Sequence, residues 1–200
     1  MKAGTIGLCR AAAAALLLAG CQAPGTAPPR PDTGRAPTAH VHAATGMAFP
    51  DAVGDFVRSG FTRYDMAGLD VGAGYELTAL PGGALAAAVS IHPLPATACE
   101  AAFEAGKREV AADHPGAKVT EETAARLVKG GAAHAGRKAA FTYNDLHAGR
   151  RQPLRSELYV FCPVGERWVI QYRFTAPAGF AAGEPIAEFL ARMPWPESVL

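Results

Sequence analysis

Two runs, Leu154 to Cys162 and Trp168 to Thr175, restrict the folds open to this chain more than any other stretch, because both are dense in aromatic and β-branched residues. Pro163-Val164-Gly165-Glu166 joins them, so they read as neighbouring strands at the centre of a sheet. Other strands gather around them. Phe56 to Tyr64 reads as one or two short strands, and Val71, Ala73, Tyr75, Leu77 and Ala79 alternate with Gly72, Gly74, Glu76 and Thr78, the period of a half-buried strand. Pro81-Gly82-Gly83 turns that strand into Ala84 to Leu94, whose Leu85, Val89 and Ile91 complete an antiparallel hairpin. Val119 to Thr123, Ala125 to Val128 and Arg137 to Asn144 follow, with a turn at Gly130-Gly131 and with Ala139, Phe141 and Tyr143 on one face.

Helix signals flank these strands. Thr97 and Glu100 have the spacing of a capping box, in which each side chain satisfies an orphan amide at a helix start. Cys99, Phe103, Gly106 and Val110 then fall on one helical face, and His114-Pro115-Gly116 opposes continuation. Pro185 suits the first turn of a second helix with Ile186, Phe189, Leu190 and Met193 as its buried stripe, halted by Pro194-Trp195-Pro196. The expected class is α+β, an antiparallel sheet flanked by two main helices. No internal repeat of fixed period is visible.

The start of the chain has a different character. Lys2 and Arg10 charge the first ten residues, and Ala11 to Leu18 form an uncharged run too short to cross a bilayer. The run closes on Leu18-Ala19-Gly20-Cys21, which resembles the bacterial lipobox at all four positions. The resemblance implies a signal peptide over residues 1–20, cleavage after Gly20, and acyl chains on Cys21 as the mature first residue. The alternative is an ordinary secretory signal cut further on, near the small residues after Pro24, with Cys21 incidental. Gln22 stands where an aspartate would retain such a lipoprotein in the inner membrane, so the periplasmic face of the outer membrane is expected, with inner-membrane retention as the alternative.

Residues 21–46 carry Pro24, Pro28, Pro29, Pro31 and Pro37 and no Leu, Ile or Phe, and such a segment buries too little apolar surface to offset its ordering entropy. It reads as a tether between lipid and domain, with a reach of about 25–30 Å. Residues 47–200 are then a single α+β domain of ordinary size. Of 19 Lys and Arg, Lys2 and Arg10 leave with the leader, so 17 face 18 Asp and Glu. That balance provides no field to attract nucleic acid.

The folded part is similar to the PsbP-like fold, an antiparallel sheet packed between helices that also occurs in DcrB-like bacterial lipoproteins. The likeness rests on Phe49-Pro50 with Phe56 and Tyr64, the capped helix from Ala98, the strand Ser156 to Cys162, and Phe189-Leu190 with Pro194-Trp195-Pro196. It spans residues 47–196 and implies an accessory or binding protein without shared catalytic residues. A cystatin-like or other helix-on-sheet domain would have similar element order.

Little in the folded part announces chemistry. Cys9 leaves with the leader and Cys21 takes the lipid, so Cys99 and Cys162 alone remain, in an oxidising compartment where a disulfide between them is expected. The alternative is two buried apolar thiols. Ser59, Ser90, Ser156 and Ser198 all lack the Gly-x-Ser-x-Gly elbow. His40-Val41-His42 lies in the tether without ligand spacing and reads as surface histidines, while His92, His114, His134 and His147 are isolated in sequence. Gly72-x-Gly74 and Gly130-Gly131 lack the remaining residues of nucleotide motifs and read as turn or close-packing glycines.

Arg150, Arg151 and Arg155 cluster near His147 and are the candidates for contact with an anion, a solvated loop being the alternative. No cofactor, metal or catalytic residue is expected. The functional expectation is a membrane-anchored lipoprotein that binds an envelope protein or a small molecule. A competing enzyme would use Cys99 or a His/Cys site assembled by folding, and a structural envelope protein would expose an apolar sheet face.

Overall fold

A 15-residue strand, β9 (Arg150–Val164), pairs antiparallel with β10 (Trp168–Pro177) near the middle of an eight-stranded sheet, where the two aromatic-rich runs were expected. The computed structural model describes residues 39–78, 84–94, 99–165 and 167–196. The lipobox with Cys21, most of the tether, Pro81-Gly82-Gly83, Ser198 and Thr97 of the capping box lie outside the described residues.

The other strands of the sheet are β3 (Ala52–Val53), β4 (Phe56–Arg63), β5 (Val71–Leu77), β6 (Leu85–Pro93), β7 (Lys118–Lys129) and β8 (Ala132–His147). Their order is β3-β4-β5-β6-β10-β9-β8-β7, with every pair antiparallel. Gly130 and Gly131, with φ of +55° and +81°, join β7 to β8 through the two-residue turn that needs left-handed backbone at both positions. The segments expected at Val119–Thr123 and Ala125–Val128 are one continuous strand, bulged between Val119 and Glu121. Its residues are mostly exposed on both faces, so no apolar alternation marks its length.

The helices take opposite faces of the sheet. α1 (Cys99–Asp113) lays Ala102, Phe103 and Val110 on Phe141, Leu158 and Val160, while α2 (Gly183–Arg192) sets Ile186 and Phe189 against Tyr75 and Phe174. Period-two alternation explains the two cores: Val169 of β10 serves the first, and Ile170, Tyr172 and Phe174 the second. Met193 and Trp195, beyond the end of α2, are buried in the second core. Cys99 and Cys162 are joined as a disulfide with Cα atoms 5.5 Å apart, which pins the start of α1 to β9. No helix among the described residues is long and apolar enough to cross a membrane.

Strand pairing is already present before residue 47. β1 (His40–Val41) pairs with β2 (Ala48–Phe49), and His42 is 1 % exposed rather than on the surface. The Thr45 hydroxyl donates to its Nδ1 at 2.7 Å and its Nε2–H donates to the Leu69 carbonyl at 3.2 Å. Burial, partly opposed by that carbonyl and by Asp65, lowers its pKa. A polar residue is buried readily once each of its polar atoms has a partner, and composition alone does not reveal those partners.

Candidate functional site

α1 covers only part of its face. It packs on β9 and β10, and over β4, β5 and β6 the same face of the sheet is left open as a cleft of about 650 Å³ along the helix flank. Strand register determines what paves it. Gln171, Ser90, Gly72 and Thr62 are successive cross-strand neighbours, and Arg173, Ala88, Gly74 and Gly60 form the next row. At the other end, His92 stands beside Asp70, and the Tyr64 amide donates to the Asp70 carbonyl at 2.9 Å.

The floor is therefore small side chains and bare backbone. The opposite face of β5 carries Val71, Ala73, Tyr75 and Leu77 into the core, so the two glycines lie only where the strand faces the cleft. The Tyr64 ring leans over Gly72, 3.3 Å from where a Cβ would sit, and the Ser59 hydroxyl would be 2.9 Å from a Cβ on Gly74. Glycine inside a strand is the mark of a close approach, and here it keeps the floor low.

Charge is distributed unevenly around this floor. Glu109 and Asp113, four residues apart on α1, share the helix side that forms the wall. Arg173 donates to Asp113 at 3.0 Å and also to Nε2 of His114, whose Nδ1–H donates to Asp145 at 2.6 Å and whose ring stacks on Tyr143 with centroids 4.1 Å apart. The single guanidinium among the described residues of the cleft is thus engaged. The side-chain carboxylates of Asp70 and Glu109 make no hydrogen bond or ion pair with any described residue. Burial raises the pKa of Asp70, with Asp65 acting the same way and His92 against it.

The residues singled out in the sequence stand elsewhere. Cys99 opens α1 and Cys162 stands on β9, and their disulfide leaves neither sulfur as a nucleophile. Arg155 is paired with Glu157 at 3.0 Å and reaches Glu121 at 3.7 Å, so its charge is already balanced. Arg151 points to the same face four residues earlier on β9, about 13 Å away along the strand, and Arg150 points to the opposite face. Strand alternation sets Arg150 apart and the length of strand sets Arg151 apart from Arg155, so the fold does not bring the three candidate arginines together.

The histidines are likewise dispersed. His134 packs on Trp195 with ring centroids 4.6 Å apart in the other core, and His147 donates to the Ala84 carbonyl at 2.6 Å. His92 alone of the six lines the cleft, where its Nδ1 stands 3.2 Å from the Pro93 carbonyl and no hydrogen bond joins it to Ser90. Ser156, buried, donates to the Phe174 carbonyl at 3.0 Å. Among the described residues no group of three or more His, Cys, Asp or Glu stands ready to hold a metal ion.

Sequence reasoning passed over Tyr64, Asp70 and Glu109, and it read Gly72 and Gly74 as turn or packing residues. The available signal was the glycine pair itself, at alternate positions of a strand whose other face is large and apolar. No protein-family model matches the chain, and no curated protein matches it.

Proposed function

We propose that this chain is a lipid-anchored protein of the bacterial envelope that works by binding a ligand in the cleft beside α1. Its anchor is the acylated Cys21, its placement the periplasmic face of the outer membrane, and its sheet between helices belongs to the PsbP-like type. The observation that carries the binding reading is the cleft: an open face of about 650 Å³, within the usual size of small-molecule sites, paved by Gly72, Gly74, Ala88 and Ser90. A structural role would call for a broad face of large apolar side chains, whereas this uncovered part of the sheet is paved with small ones and flanked by charged and hydroxyl groups. An enzyme built on Cys99 would need a thiol that the disulfide consumes.

The charged start, the apolar run and Leu18-Ala19-Gly20-Cys21 support the anchor. Two or more acyl chains, at about 0.8 kcal/mol per buried methylene, make an effectively permanent attachment. Cells fed labelled palmitate should yield a labelled protein that sediments with membranes, and Cys21→Ser should lose the label and enter the soluble periplasmic fraction. Wild-type protein found unlabelled and soluble would end the anchoring proposal.

A further inference from the structure

We infer that the cleft recognises an organic ammonium group, with Asp70 and Glu109 as its counter-charges and the Tyr64 ring as an aromatic face beside it. The inference rests on the binding reading of the same cleft and adds the chemical class of the ligand.

Charge supplies the first argument. Three carboxylates, those of Asp70, Glu109 and Asp113, face one guanidinium and the imidazole of His92 on the described lining, and Arg173 spends its donors on Asp113 and His114. What is left unpaired is negative. An anionic ligand would meet like charge with no free arginine or lysine among the described residues of the lining, while a cation meets two carboxylates whose hydrogen-bonding capacity is unused. Asp70 gains most, because its carboxylate is already partly desolvated and only His92 acts against that burial.

Shape gives the second argument. Tyr64 is 65 % exposed, yet its ring is held against Gly72, so a large apolar face borders the cleft close to Asp70. A carboxylate near an aromatic face is suited to an alkylammonium, whose charge attracts both and whose methylenes lie against the ring. Gly72, Gly74 and Ala88 leave a shallow floor on which an extended aliphatic chain rests against backbone, and Ser90, Thr62 and Gln171 offer hydrogen bonds along it. A bare divalent ion would need several convergent oxygen ligands, and the described residues provide no such group.

Protonated amines reach such a site as free polyamines or as lysine side chains of a short peptide, so the probes are spermidine and an acetylated, amidated trilysine. The full chain is titrated with each at physiological ionic strength by calorimetry, and isotope-labelled chain is followed through the amide signals of residues 72–74 and 86–90. Saturable binding of either probe is expected, with whichever binds tighter identifying the source. Asp70→Asn and Glu109→Gln should each weaken it at least tenfold, Ala88→Phe should fill the floor and abolish it, and Glu184→Gln on α2 should leave it unchanged.

Binding that survives the double change Asp70→Asn with Glu109→Gln overturns the inference, as does calcium chloride competing at equal concentration. Neutral or anionic compounds that shift the same amide signals while both amines do not would overturn the cation class and keep the cleft as a binding site. If no compound of any charge shifts those signals, the binding reading falls as well.

Discussion

Asp70 illustrates how a single residue can trade stability for recognition. Its carboxyl is raised above the ordinary aspartate value chiefly by burial, so the folded state holds its proton more tightly than the unfolded chain does. Stability from this group therefore falls as pH rises from the unfolded value, near 3.8, through the higher folded value, and at neutral pH the charge is a cost. Asp70→Asn removes that cost. Its melting temperature at pH 7 should exceed the wild type's, and the advantage should vanish below pH 4. Scanning calorimetry at the two pH values checks this, and a variant both more stable and weaker in amine binding would separate a recognition residue from a structural one.

At the scale of elements, the end of α2 depends on a residue remote in sequence. Lys129, the last residue of β7, donates to the carbonyls of Ala191 and Met193, both at 2.7 Å, at the helix end where cations are favoured. Burial pushes its pKa down to about 8, so the folded protein releases this proton before the unfolded chain, which holds it to 10.5. Stability from Lys129 accordingly rises between about pH 8 and 10. Lys129→Met leaves two carbonyls without a donor and should cost about 1–3 kcal/mol in urea unfolding at pH 7, while flattening that pH dependence. An unchanged unfolding midpoint would show that water satisfies those carbonyls equally well.

For the whole molecule, the disulfide and the cleft are connected through α1. The bond closes 63 residues of chain and attaches the helix start to the central strand β9, and the helix flank is the wall of the cleft. Gly106 allows the close packing that keeps it there, since a Cβ would come within 2.9 Å of Gln171 and 3.1 Å of Leu158. Replacing Cys99 and Cys162 together by alanine should lower stability by about 4 kcal/mol, from the entropy of the opened loop. Denaturant titration reads that loss. The same variant should bind amines more weakly because its wall is less firmly placed, and undiminished affinity would show that Phe103 and Val110 hold the helix unaided.

The local chemistry of the chain was enough to set its main strands, its two helices and which of their faces turn inward, though not β1 or the unbroken length of β7. Period-two runs such as Val71 to Leu77, the Phe103 and Val110 stripe and the Gly130-Gly131 turn each depend on neighbours a few residues away, and all are present in the fold. Ser59, Tyr64, Asp70, Gly72, Ser90, Glu109 and Arg173 come from five different elements and the loop after β4, and no short-range pattern connects them. Only the pairing of β4, β5, β6 and β10 set them side by side, and only the limited span of α1 left them uncovered. Burial of His42 was decided in the same way, by a carbonyl 27 residues along the chain. Periodicity tells each residue which side of its own element it occupies, while a site needs neighbours from other elements, and those are assigned by packing.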